Sequence, residues 1–412
     1  MPEAERSTRR AWTVVGVGVV AVALIVTVAL VVGRDDPWER TGPPLAVSGW
    51  APYWQVGEAL ESFAGHAELF GDVSLAGWSV REDGTVQPYD QLPSDAVASF
   101  RARADERRVP FLGTVFDEMG EGGMAALLAD PARRTAHVAA LAALVSTNDL
   151  DGLDIDYEVF AFSDDRSTWA ATQPNWLAFL QELADALHAD GKLLVVSVPP
   201  VYDDGSPADT GFWVYGHERM GEIVDRIRLM TYDYSVPEPG PIAPIGWVGD
   251  VVEAMTDLVP PAKLDLGVPA YGRDWVVSTT GTCPEDQQPA TRAVSIRTVA
   301  DLVGTTGSIP SWDGATAEWR FDYTSTLQGA DAAGTATSCT VERTVRYLDG
   351  TAMALRAWLA YRHDLHGIAV WALGNDDAAV WPAIRAVVAG AEPVPPTTVE
   401  TTVAQNVVVS TS

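Results

Sequence analysis

The chain has 412 residues, 56 of them acidic and 27 basic, and a formal charge of −29. No Lys/Arg cluster offers phosphates a landing surface, which speaks against nucleic acid as a partner. The length allows two or three ordinary domains or one large α/β barrel, and core material is plentiful.

Residues 1–10 carry Arg6, Arg9 and Arg10, and residues 11–33 follow without a single charge. At about 1.5 Å per helical residue that run crosses a hydrocarbon core of roughly 30 Å, so it predicts a transmembrane anchor. The positive-inside rule then leaves the N-terminus in the cytoplasm and everything after residue 34 outside the cell membrane, as a single-pass protein. A cleaved secretory signal is the rival reading; its apolar core is normally shorter and ends in a small-x-small site, which is not evident here. Residues 34–45 read as a polar, Pro-bearing linker and 391–412 as a Pro/Thr/Val-rich disordered tail.

Between them, eight β-branched or apolar runs predict strands at 46–50, 72–78, 109–115, 150–157, 193–198, 227–232, 263–270 and 367–372. Helical patterns at 131–146, 173–191, 217–225, 247–258, 350–365 and 376–389 separate many of them, the clearest being 173–191 with Trp176, Leu180, Leu183 and Leu187 on one face. Near-continuously apolar strands alternating with amphipathic helices predict a parallel sheet covered on its outside, and eight of them predict an α/β fold, a closed (β/α)8 TIM barrel over 46–390. No GxGxxG follows the first strand, against a dinucleotide fold. Nearly 100 residues separate the seventh and eighth strands, and residues 275–348 are expected to form a small α+β insertion beside the mouth of the barrel. Cys283 and Cys339 fall there, the only cysteines in the chain. A disulfide would close the loop from 283 to 339 at a gain on the order of 4 kcal/mol, with two free structural thiols as the alternative. No CxxC, HExxH or histidine cluster suggests a metal, and no cofactor is expected.

The fourth run, "LDGLDIDYEVF", places Asp151, Asp154, Asp156 and Glu158 within eight positions. In an extended segment Asp154, Asp156 and Glu158 share one face while Leu153, Ile155 and Tyr157 share the other, so acids are stacked toward the barrel interior. Like charges so placed raise at least one pKa. A calcium loop is a poor alternative, because the spacing lacks the EF-hand glycine and terminal bidentate glutamate. Asp151 precedes the stack and reads equally well as a turn residue. Around the same mouth stand Tyr53 and Trp54 after the first strand, "MTYD" (Met230 to Asp233) after the sixth, Tyr271 after the seventh and Trp371 after the eighth. Acids ringed by Trp and Tyr suit a sugar, whose apolar faces stack on flat rings while carboxylates take the hydroxyls.

"DGLDIDYE" resembles the DxxDxDxE signature of glycoside hydrolase family 18, the chitinase-like barrels. "MTYD", Trp371 and the insertion before the last strand are similar to that family's corresponding features, over about residues 46–390. "DVSLAGWSVREDGTV" and "GVPAYGRDW" are most similar to the bacterial spore-germination and cortex-lytic type, from which this chain departs by having no evident LysM repeats. The resemblance implies retaining, substrate-assisted hydrolysis of β-1,4-linked N-acetylglucosamine polysaccharide, peptidoglycan or chitin; a monomer is expected. It implies Glu158 as the acid, its pKa raised by Asp156 and Asp154, and Asp156 and Tyr232 as the groups that hold the substrate's acetamide. Asp154 would support Asp156, and Trp371, Asp233, Met230, Tyr53, Trp54 and Tyr271 would bind sugar. Two alternatives remain open: a catalytically inactive glycan-binding barrel, and a conventional retaining glycosidase with Asp233 as nucleophile.

Overall fold

The computed structural model describes residues 40–201 and 211–396. The anchor expected at 11–33, with the charges flanking it, lies outside the described residues, as does most of the tail. Among the described residues no helix is long and apolar enough to cross a membrane.

Eight parallel strands close on themselves: β1 (Ala46–Pro52), β2 (Val73–Val80), β4 (Phe111–Asp117), β5 (Gly152–Asp156), β6 (Leu193–Val198), β7 (Arg226–Leu229), β8 (Leu264–Pro269) and β14 (Gly367–Trp371). Pairing of β1 with both β14 and β2 completes the barrel, and a short β3 (Val86–Pro88) adds antiparallel to β2. Strands such as β2 and β6 are buried on both faces, which is why they read as near-continuous apolar runs. Two of them are shorter than their runs suggest. β7 ends at Leu229, so Met230, Thr231 and Tyr232 form the loop beyond it, and β5 ends at Asp156, leaving Glu158 in the turn that opens the helix Val159–Phe162.

The outer helices follow the predicted segments, with additions. Val56–His66, Ala96–Arg107 and the short Gly123–Ala129 escape the pattern, and the second buries only Ala96, Phe100 and Ala104, too small an apolar stripe to stand out among its charges. The long helix Trp169–Ala189 starts before its expected first turn and holds Pro174 inside it.

Between β8 and β14 the chain forms a five-stranded antiparallel sheet in the order β10-β9-β13-β12-β11. It consists of β9 (Tyr271–Gly281), β10 (Arg292–Ser295), β11 (Ser311–Asp313), β12 (Glu318–Ala330) and β13 (Ala336–Tyr347), with the helix Ile296–Thr306. Its own core holds Val294, Val299, Phe321, Tyr323, Val345 and Tyr347, and a disulfide joins Cys283 to Cys339. Because β9 begins two residues after β8 ends, Tyr271 and Arg273 belong to this sheet. Glu318 at the start of β12 accepts from the backbone N–H groups of Ile242 and Ala243 and lies 3.5 Å from the Arg356 guanidinium. That buried clamp ties the loop after β7 to the sheet.

The barrel interior is charged toward the N-terminal ends of its strands. Asp72, Asp154 and Asp265 converge there on Arg226 and Arg228, all five buried. Ser48 donates to Asp72, Ser74 receives from Arg228, and His366 Nδ1 lies 2.6 Å from Asp265 at the edge of the cluster.

Candidate active site

The acids of β5 occupy three different environments. Asp154, in mid-strand, is enclosed by donors: Trp50 Nε1 at 2.6 Å, Arg228 Nη1 at 2.8 Å and Thr114 Oγ1 at 3.2 Å on one oxygen, Ser197 Oγ at 2.7 Å on the other. Asp156, the last residue of the strand, is buried with its Oδ1 facing no donor among the described residues. Burial first, then the charges of Glu158, Asp154 and Asp117, push its pKa well above the usual carboxylate range. Glu158, at the mouth, is raised to about 7 by burial, then by Asp117 and Asp233.

That last result corrects the expected cause. Asp154 and Asp156 do not supply the repulsion at Glu158: Asp154 is paired with Arg228, and the hydrogen bond between Asp156 and Glu158 acts in the lowering direction. Asp117, at the end of β4, does supply it. Its carboxylate accepts from the backbone N–H groups of Glu158 (2.9 Å) and Val159 (3.1 Å), and burial raises its own pKa to about 6. Nothing in the acid signature announces Asp117; the only trace is an acid ending an apolar run in "FLGTVFD". Asp151 lies on the opposite end of β5, where it accepts from Phe111 N and Arg101, a structural role.

The rim is assembled from several loops. Tyr232 follows β7, and its hydroxyl is held in the protonated form by burial and by Tyr271, Asp156, Glu158 and Asp233 nearby. A Cβ on Gly267 of β8 would come within 2.9 Å of the Tyr232 ring, so glycine there makes room for it. Asp233 adopts a left-handed backbone (φ 55°), and its Oδ1 accepts from Tyr271 Oη at 2.6 Å and Arg273 Nη2 at 2.7 Å. Tyr271 is therefore a partner of Asp233, and Arg273 is a rim cation. Met230 is half-buried, its N–H donating to Val198 O as the chain leaves the sheet.

Trp371 ends β14, edge-to-face with Trp50 at 5.8 Å and with Trp54 at 6.0 Å; Trp54 is 55% exposed. Tyr53 stacks on Tyr89, ring centroids 3.9 Å apart, so one of its faces is already covered, and Tyr89 in turn meets Phe116. Tyr89 lies just past β3, a loop whose approach to the mouth no sequence period reveals. Among the described residues, no group of three or more His, Cys, Asp or Glu side chains is arranged to hold a metal ion.

Acids at the end of β5, a protonated tyrosine after β7 and a tryptophan ending β14 thus face one mouth of the barrel. The model of the glycosyl hydrolases family 18 matches residues 97–376. The chain belongs to that family. Relatives include a Bacillus subtilis protein named as a sporulation-specific glycosylase, YdhD, 33% identical over 181 residues, 42% of this chain and 40% of that protein. A cortical fragment-lytic enzyme of the same organism is 36% identical over 106 residues, 25% of this chain and 24% of that protein. This chain thus spans less than half the length of these two relatives. A chitinase from Chromobacterium violaceum superposes with a TM-score of 0.65 at 26% identity, over 83% of this chain and 98% of that one. The matched family is one of glycosyl hydrolases, and the superposition on a chitinase agrees with that family's barrel fold.

Proposed function

We propose that the chain is a retaining hydrolase of β-1,4-linked N-acetylglucosamine glycans, of peptidoglycan or chitin type, working through the substrate's own acetamide. The observation that carries this reading is the buried, unpartnered Oδ1 of Asp156 directly beneath an acid that keeps its proton near neutral pH. A buried polar atom without a partner awaits one, and an acetamido N–H has the right polarity. In this scheme Glu158 gives its proton to the glycosidic oxygen as the C1–O bond breaks. The acetamide carbonyl oxygen bonds to C1, Asp156 accepts from the amide N–H, and the Tyr232 hydroxyl donates to the carbonyl oxygen. Water then opens the oxazolinium ion with Glu158 as base, so configuration is retained. Trp371 serves as the floor of the reacting sugar, and Asp233, held by Tyr271 and Arg273, presents its remaining oxygen to the sugar.

The reading extends to location. The charge-free run 11–33, preceded by three arginines, supports an anchor that holds the barrel at the outer cell surface, and the Cys283–Cys339 disulfide suits an oxidising exterior. Product analysis by mass spectrometry tests the activity, with the full-length chain on chitin oligosaccharides and separately on peptidoglycan. Cleavage after N-acetylglucosamine that vanishes in Glu158→Gln is expected. Intact sugars in every sample, with binding retained, would establish the inactive glycan-binding barrel instead.

A further inference from the structure

Asp117 lies outside the family signature, yet three ties converge on the turn that carries Glu158, and Asp117 makes the one that holds its backbone. Tyr157, one residue earlier, points outward with its hydroxyl 2.8 Å from His137 Nε2, and its carbonyl accepts from Tyr215 Oη at 2.8 Å. Asp117 reaches across from β4 and takes the next two N–H groups, of Glu158 and Val159. Asp117 is only 7% exposed, too costly a place for a charge unless its position is used.

We infer that Asp117 is a positioning residue for the acid: its buried carboxylate fixes the backbone that carries Glu158 and sets a negative charge against that turn. This rests on the hydrolytic reading above and adds to it the group that sets the acid's working range. The surroundings leave that task to few candidates. From β5, Asp156 shares a hydrogen bond with Glu158 that favours loss of the proton. From the loop after β7, Asp233 acts in the same sense as Asp117, and it is partly neutralised by Arg273 on β9. Tyr232, Tyr215 and Tyr271 stay neutral. Asp164 faces Asp117 from the segment after β5 and raises it, while the adjacent Glu118 is engaged with Arg81 and Ser79. Below about pH 6 Asp117 is protonated and exerts no charge; above it, the Asp117 anion keeps Glu158 protonated to about 7.

The test is a carbon-13 carboxyl titration of the full-length chain labelled at glutamate and aspartate, with Glu158→Gln identifying the acid's resonance. Asp117→Asn keeps the Oδ1 acceptor that both N–H groups share and removes the charge, at the cost of the second, 3.2 Å contact from Val159 N–H to Oδ2. The Glu158 midpoint should then fall by on the order of one pH unit, and the alkaline limb of kcat/KM should fall with it. A midpoint within about 0.3 pH unit of the wild type would overturn the proposal, leaving Asp117 a backbone clamp only. Should the variant not fold, the wild-type titration decides: the Glu158 resonance must respond at the Asp117 midpoint as well as its own, and a single-step curve refutes the coupling. If no glycan is cleaved, the hydrolytic reading fails, and the titration still judges Asp117.

Discussion

Arg228 is the side chain on which the charged floor of the barrel depends, and replacing it with methionine should be among the most damaging single changes outside the hydrophobic core. Its guanidinium donates to Asp154 and Ser74, each at 2.8 Å, and to Asp72, and it lies over the Trp50 ring at 5.2 Å. Methionine matches the volume and none of the charge. It leaves Asp154 with three neutral donors and Asp72 with Arg226 and Ser48. Breaking one partner of a buried pair costs about 3–5 kcal/mol, because the other charge stays buried. With unfolding entropy near 2.1 cal/mol/K per residue over the roughly 350 described residues, that is a fall in Tm of about 4–7 °C. Scanning calorimetry at pH 7 and a fixed scan rate reads it. A double-mutant cycle sharpens it: Asp154→Asn should cost at least 1 kcal/mol less in the Arg228→Met background than alone, since it removes the stranded charge. A Tm within about 1 °C of wild type for Arg228→Met would refute the reasoning, showing that the cluster carries no net electrostatic stabilisation.

Three further outcomes follow from the site and the sheet. Glu158→Gln should gain stability relative to wild type as pH rises from 5 to 8, by up to a few kcal/mol. A folded-state pKa near 7 means that folding retains a proton the unfolded chain has lost, so the wild type loses stability across that window and the glutamine does not; urea melts at the two pH values measure it. Trp54→Ala should raise KM roughly three- to tenfold with kcat unchanged, because a 55% exposed ring six ångströms from Trp371 binds substrate and transition state alike. Serine at both Cys283 and Cys339 should make the β9–β13 region more sensitive to protease while the barrel persists, since the sheet has its own small core and the bridge closes a long loop worth on the order of 4 kcal/mol.

The barrel was legible because parallel strands buried on both faces read as apolar runs, and the acid stack was legible because Asp154 and Asp156 interrupt such a run at a period of two. Its mouth was legible only in part. "LMTY" adds apolar, β-branched and aromatic residues directly after Ile227 and Arg228, so the strand seemed to reach Tyr232, whereas pairing with β8 stops at Leu229. Tertiary pairing, which no local propensity reports, set that boundary. The charged floor was invisible for a related reason. Asp72, Arg226 and Asp265 sit at strand ends, where charge ordinarily meets solvent, and only closure of the barrel brings β2, β5, β7 and β8 to one axis. Asp117 belongs to the same class of residue, meaningful through what another strand places beside it.

The floor also explains why two aspartates a strand pitch apart have opposite duties. Four donors, one of them a guanidinium, enclose Asp154, so it is the counter-ion of Arg228 before it is anything else. Asp156, one layer higher, has an empty oxygen and a raised pKa, and shares its proton with Glu158. The two asparagine variants should therefore part company. Asp154→Asn strands Arg228 above Asp72 and forces an amide N–H₂ against the donors Ser197 or Trp50, so its Tm should fall by several degrees. Asp156→Asn relieves a buried, desolvated acid, so its Tm should hold or rise while kcat falls by on the order of a hundredfold or more, the loss expected when a preorganised acceptor of developing charge is removed. Equal losses of stability in the two variants would contradict the layered electrostatics, and unimpaired turnover in Asp156→Asn would remove Asp156 from the mechanism.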